Sequence, residues 1–239
     1  MSKKPLVAIL TGNSNSGSAC IEELFSRYSD KVNVRGLFRS KEKAQPFAQK
    51  YPKLEVITGV DAYKPETLKT GFAGCDSALI VTPHDPTKDL NAEGDDAQLT
   101  CTMINQAVAA GVKYIVLVAS FTVHYRKQMP IIASRFWPSE DLLEQLAKEN
   151  RVKFTVLRGG CFMENLIPGL KKTIKAQSSL NMCNMVCAMV DTQDIGKSGA
   201  ACLAANGEGH HGKFYEMTGP EMQNGHDLAK VLTKVFGEF

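Results

Sequence analysis

Short apolar runs alternate with stretches of helical periodicity along most of the chain, starting at Leu6-Val7-Ala8-Ile9-Leu10. A short, unbroken apolar run is what a strand buried on both faces shows. After Gly17, the residues Ile21, Leu24, Phe25 and Tyr28 recur on one face of a helix. Val32 to Phe38 reads as a second strand and Leu54 to Ile57 as a third, followed by a short helix opened by Pro65. Ser77 to Thr82 is a fourth strand, stopped by Pro83. The next helix presents Thr100, Met103, Ile104 and Ala107 on one face, with Gly111 as its C-terminal stop. Tyr114 to Ala119 is a fifth strand. Ser139 is expected to cap a helix that turns Leu142, Leu143 and Leu146 inward and sets Glu140 and Asp141 near its positive end. Val152 to Leu157 is a sixth strand. After Arg158 the rhythm loosens, and Gln177 to Met189 shows no clear period. A helix over Asp194 to Leu203, a strand over Phe214 to Met217 and a helix over Asp227 to Phe236 complete the chain.

Strands separated by helices call for parallel pairing through right-handed crossovers. The expected fold class is therefore α/β: a Rossmann-type doubly wound parallel sheet with a small C-terminal substrate lobe. Residues 1–158 form the expected dinucleotide-binding core. Residues 159–239 form the small lobe, packed on the same core as a single structural unit.

Bulk properties narrow the classes without choosing among them. The 239 residues are 44% hydrophobic and 22% charged, with a formal net charge of +3. So small and evenly spread a charge argues against a nucleic-acid partner. No apolar run approaches the roughly 20 residues that span a bilayer, and the N-terminus lacks a signal-peptide pattern. The expected address is cytoplasmic, without membrane contact. The seven cysteines form no close CxxC pair, and no histidine completes a zinc pattern around Cys183 and Cys187, so reduced thiols and no metal are expected.

The candidate chemistry begins where the first strand meets the first helix, at Thr11-Gly12-Asn13-Ser14-Asn15-Ser16-Gly17. Phosphate binding needs backbone N–H groups at a helix N-terminus, and glycine permits the close approach. Two glycines alone would also suit a tight turn. Their position, after the first strand and before an amphipathic helix, favours a dinucleotide. Strand two then bears on which one. An NAD site usually carries Asp or Glu about 20 residues past the loop, to bind the ribose 2′-hydroxyl. Here that place holds Arg39, which suits a 2′-phosphate through a charge-assisted fork. The alternative is a solvated arginine at a strand end. The expected cofactor is NADP(H) rather than NAD(H).

Several segments together resemble the NmrA-like branch of the atypical short-chain dehydrogenase/reductases. Besides the loop and Arg39, they are Val60-Asp61-Ala62, Phe72-Ala73-Gly74-Cys75-Asp76-Ser77, Val81-Thr82-Pro83, and Ala110 to Val116. The most specific are Phe154 to Leu166, Asp191 to Gly196 and Phe214 to Glu221. The resemblance implies cofactor contacts from Gly12, Asn13, Ser14, Asn15, Ser16 and Gly17, then from Arg39, Asp61, Ala62, Thr82 and Pro83. Ser120, Cys161 and Phe162 would complete them near the nicotinamide. His84, Phe121, Phe162 and Asn165 would line a substrate pocket. The family includes NAD(P)H-dependent reductases of quinones and related substrates, and also regulators that bind NADP(H) without evident turnover.

Three departures stand out. The loop looks one residue shorter than the family's GxxGxxG form, with Asn15 where the middle glycine would be. None of the six tyrosines has a lysine four residues later, so the usual Tyr-x-x-x-Lys proton relay is missing, and Ser139 stands where relatives often carry lysine. Relatives also commonly continue for some tens of residues beyond the last helix. Ser120, His124 and Tyr125, after strand five, are the candidates for catalytic work. His84, His210 and His211 read equally as solvated loop residues. The leading expectation is an NADP(H)-binding oxidoreductase that reduces a small quinone-like or carbonyl acceptor, acting as a monomer or homodimer. The alternatives are a non-catalytic NADP(H)-sensing protein and, less favoured, an isomerase or epimerase of a nucleotide-linked sugar.

Overall fold

A computed structural model describes residues 3–82, 95–165 and 186–236. Its strands form one parallel sheet in the order β3-β2-β1-β4-β5-β6-β7. They are β1 (Leu6–Leu10), β2 (Asn33–Phe38), β3 (Glu55–Thr58), β4 (Ser77–Val81), β5 (Tyr114–Ser120), β6 (Lys153–Gly159) and β7 (Lys213–Met217). The chain moves outward from β1 to β3, returns to β4 beside β1, and continues to the other edge. That reversal opens a crevice at the C-terminal ends of β1 and β4, where ligands bind in such sheets.

Alternating strand residues feed two helical layers. Ala8, Ala78, Ile80, Ile115, Leu117 and Val156 face α3 (Pro65–Phe72), α4 (Asp96–Ala109) and α6 (Trp137–Lys148). Val7, Ile9, Leu79, Val116 and Leu157 face α1 (Asn15–Arg27), α2 (Lys41–Lys50) and α7 (Thr192–Ala204). The helix α7 follows β6 in the chain and packs along α1, so it belongs to the layer over β1 and β4. Gly196 permits this approach: a Cβ there would lie 2.4 Å from the Ser16 carbonyl oxygen. The last helix, α8 (Gly225–Phe236), buries Leu228 and Leu232 in a small separate cluster with Cys187 and Met189.

Several boundaries differ from the sequence reading, each for a local reason. The helix α2 was not expected. Its N-terminus is capped by Ser40, whose hydroxyl accepts the Lys43 amide, but Ala44 is its one buried residue. The helix therefore carries little periodic signal. Ser139 is not the cap of α6. That helix starts at Trp137, with Pro138 fixing the first turn, and the buried Ser139 hydroxyl donates back to the Phe136 carbonyl at 2.7 Å. A 3₁₀ turn at Phe121–Tyr125 and the short helix α5 (Pro130–Ser134) fill the span between β5 and α6. Gly111, at φ +98°, terminates α4 as expected. Among the described residues, no helix is long and apolar enough to cross a membrane, and no cluster of three His, Cys, Asp or Glu residues could hold a metal ion.

Candidate functional site

The crevice between β1 and β4 holds a cleft of about 430 Å³, within the usual range for small-molecule sites. The loop from β1 forms one wall. Thr11 adopts φ +54°, a left-handed conformation that a β-branched residue rarely takes. Its carbonyl accepts the Ser14 amide at 2.8 Å, while its buried hydroxyl has no partner. The Ser14 hydroxyl caps α1 by accepting the Gly17 amide at 3.1 Å, and the Ser14 carbonyl accepts the Ser18 amide. Among the described residues, the amides of Asn13, Asn15 and Ser16 have no acceptor. Unpaired amides at the positive end of a helix of 13 residues suit an anion. Gly17 holds this turn tight: a Cβ there would lie 2.5 Å from the Thr11 carbonyl oxygen.

The opposite end of the cleft is cationic. Arg39 and Lys43 both line it, from the end of β2 and the first turn of α2. The Arg39 guanidinium is 64% exposed and lies 3.2 Å from Asp61 Oδ1, an oxygen that also accepts the Tyr63 amide. Asp61 thereby orients the arginine across the mouth of the cleft. A second depression, of about 270 Å³, continues from Ala62 and Tyr63 to Leu99 and Thr102 on α4. Val81, Thr82, Phe162 and Thr192 close the deep end, where the Thr82 hydroxyl donates to the Val118 carbonyl. Phe162 lies across β6 because Gly159 leaves room: a Cβ there would come within 2.5 Å of the ring. Glu164 pins this wall by accepting the Thr192 amide at 3.0 Å, with a second, shorter bond from the Thr192 hydroxyl.

The structure brings Asn13, Ser14, Asn15, Ser16, Arg39, Ala62, Thr82 and Phe162 together around the cleft. Gly12 and Gly17 shape the loop without lining it, and the Gly12 amide donates to Leu37 instead. Asp61 acts through Arg39. Ser120, Phe121, Cys161 and Asn165 are not among the lining residues, and the Ser120 hydroxyl accepts both the amide and the hydroxyl of Thr122. Pro83 and His84 lie outside the described residues, as do Cys183, Leu166 and most of the aperiodic stretch 177–189. Sequence reasoning missed Lys43, Tyr63 and Thr192, and named Thr11 only as the start of the loop. Of these, Lys43 carried a signal, because a lysine in a helix's first turn opposes the helix dipole unless an anion sits nearby.

A second polar cluster stands along the same sheet edge, at the ends of β5, β6 and β7. Arg158 grips Glu140 with two nitrogens, at 3.1 and 2.7 Å, and stacks 4.5 Å above the Phe214 ring. It also reaches Glu216 Oε1 at 3.2 Å and His124 Nε2 at 3.1 Å. His124 Nε2 and Glu216 Oε1 are 2.6 Å apart. Burial pushes the Glu140 carboxyl above its ordinary range, against the opposing pull of Arg158. Tyr125 is half-exposed and meets Phe121 edge to face.

A family model described as NAD(P)H-binding matches residues 12–205. An NAD(P)H azoreductase of Xenophilus azovorans is 25% identical over 233 residues, 97% of this chain and 74% of its own length. Among solved structures, triphenylmethane reductase of Citrobacter sp. complexed with NADP(H) superposes with a TM-score of 0.78, at 21% identity, covering 97% of this chain and 76% of the other. An NADPH-dependent quinone oxidoreductase of Escherichia coli gives 0.75 at 21% identity, covering 97% and 75%. The negative transcriptional regulator NmrA gives 0.74 at 15% identity, covering 99% and 73%. At these identities the structural likenesses establish the shared fold.

Proposed function

The chain belongs to the NAD(P)H-binding family, and from that premise we propose that it is an NADPH-dependent oxidoreductase of small, flat acceptors such as quinones and dyes. The observation that carries the reading is one cleft with two charge preferences suited to a dinucleotide. At one end are the unpaired amides of Asn13, Asn15 and Ser16, and at the other are two cations. The residues present fit NADP(H). The free amides and the unpartnered Thr11 hydroxyl would hold the pyrophosphate. Arg39 and Lys43 would hold the 2′-phosphate, which NAD(H) lacks. Ala62 and Tyr63 would flank the adenine, while Thr82 and Phe162 would bound the nicotinamide side. Bound there, the reduced nicotinamide supplies a hydride to an acceptor stacked against it.

Without a Tyr-x-x-x-Lys pair, the protein's contribution is chiefly positioning, which can itself remove a large part of a barrier. An azo, quinone or triphenylmethane acceptor is the chemistry in the names of the relatives above. A small-molecule reductase acting in the cytoplasm, as a monomer or homodimer, is the form this proposal takes. Rapid mixing of the NADPH complex with a panel of such acceptors tests it: oxidation above the buffer rate is expected with at least one class. No oxidation with any of them would reject catalysis. The missing Tyr-x-x-x-Lys pair would then favour cofactor sensing, and a surface whose partner affinity changes between NADP⁺ and NADPH would be the thing to find.

A further inference from the structure

We propose that His124 is the proton donor for acceptors whose reduction consumes a proton, with Nδ1 as the donating atom and Glu216 as its positioning residue. The proposal rests on the reductase reading and names the group that replaces the missing Tyr-x-x-x-Lys relay.

The 3₁₀ turn carrying His124 leaves the C-terminal end of β5, beside β4, whose last residue Val81, with Thr82 after it, lines the cleft. The turn is anchored at its start by the paired Ser120 and Thr122 hydroxyls and at its end by His124 itself. The imidazole is held through one nitrogen only. Nε2 faces the Glu216 carboxylate at 2.6 Å and Arg158 Nη1 at 3.1 Å; the guanidinium can only donate, and it has Glu216 Oε1 as its acceptor at 3.2 Å, while Nδ1 has no partner among the described residues. A carboxylate on one ring nitrogen fixes the tautomer and leaves the other nitrogen free to give and take a proton. Among the described residues, the charged groups packed on this ring belong to the same cluster. Glu216 comes from β7, Arg158 comes from β6, and Glu140 stands behind Arg158 on α6. The Arg126–Asp141 pair, at 3.3 Å, flanks it at the surface. Arg158 satisfies Glu140 and touches Glu216 at once, so Glu216 is held in place. The imidazole is 52% exposed, which gives solvent a path to reload it.

The proton balance supplies a test. When a quinone is reduced, the nicotinamide C–H bond breaks and its hydrogen leaves with the electron pair for the quinone, so that NADP⁺ and a hydroquinone anion result. The anion takes the proton from His124 Nδ1, and water restores that proton. A cationic triarylmethane dye receives the same hydride on its central carbon and becomes neutral, with no proton needed. His124 therefore matters for one acceptor and not for the other.

His124→Gln is expected to lower kcat for a quinone by about 100-fold, the usual scale for general acid catalysis. Its KM for the quinone, its turnover of the dye and its NADPH affinity by nicotinamide fluorescence should stay at wild-type values. Equal loss on both acceptors would make His124 a structural clasp, and no loss on the quinone would make solvent the donor. Either result overturns the proposal. A readout independent of turnover is the ¹⁵N spectrum of the imidazole in the cofactor-free protein. The neutral ring should carry its proton on Nε2 in the wild type and become a tautomer mixture in Glu216→Gln. A neutral ring protonated on Nδ1 would also overturn it. If the wild type oxidises NADPH with neither acceptor, the reductase reading itself has failed, and the proton donor falls with it.

Discussion

Replacing Arg39 by alanine removes one of two cations at the cleft mouth, and the structure sets the size of the effect. Arg39 is 64% exposed and already lies 3.2 Å from Asp61 Oδ1, so its attraction for a phosphate is screened by water and shared with a carboxylate. A charge pair at about 4 Å is worth roughly 1 kcal/mol in water and roughly 4 kcal/mol at an effective dielectric near 20. Charge-assisted hydrogen bonds fall in the same range, at about 1.5–3 kcal/mol. A loss of about 2 kcal/mol for NADPH, or roughly 30-fold in Kd, is the expected result. NADH, with a hydroxyl in place of the phosphate, should change by much less. Arg39→Asp should widen the gap through repulsion. Adding Lys43→Ala to Arg39→Ala should remove most of the remaining preference. The assay is nicotinamide fluorescence titrated with each cofactor at fixed salt. An unchanged NADPH-to-NADH affinity ratio in Arg39→Ala would refute the assignment of this end of the cleft.

Three further outcomes follow from packing and burial. Gly17→Ala sets a Cβ 2.5 Å from the Thr11 carbonyl and 2.8 Å from the Ser14 hydroxyl. It should cost about 1–3 kcal/mol of stability and weaken both cofactors alike, read by thermal melting and by titration. Gly196→Ala should destabilise the fold by a similar amount, since its Cβ would meet the backbone of α1 at Ser16 and Cys20. A melting temperature equal to wild type would show that the two helices can separate at no cost. Burial pushes the Cys75 thiol up to about 11 and raises the Cys20 thiol further still. Thiolate is the reactive form, so both should resist maleimide at pH 7 in the folded protein and react after denaturation, with peptide mass spectrometry as the check.

The sheet was largely legible because β1, β4, β5 and β6 are built on short apolar runs between helix-length segments, and that rhythm permits few topologies. The helix α2 was not, since Ala44 is its one fully buried residue and Phe47 the one large side chain that packs beside it. Ser139 misled because serine is a good cap, and the preceding Trp137-Pro138 start carried the real signal. In the cleft, Arg39 could be read from the residue that strand two lacks. Lys43 needed the helix before it made sense. The cluster of His124, Arg158 and Glu216 was illegible as a unit: His124 and Glu216 are 92 positions apart and meet because β5, β6 and β7 lie side by side. The loop itself proved tighter than its glycines implied, with Thr11 in a left-handed conformation and the Gly12 amide spent on Leu37.

The central claim is direct reduction of an acceptor by NADPH held at this loop. Deuterium at the transferring C4 position of NADPH follows it, with a cationic triarylmethane dye as acceptor, because the hydrogen received stays on carbon. Mass spectrometry of the colourless product is expected to show one deuterium per molecule, formed at a rate that falls in Arg39→Asp at subsaturating NADPH. A product without the label, or no protein-dependent product from any acceptor in the panel, would contradict the account.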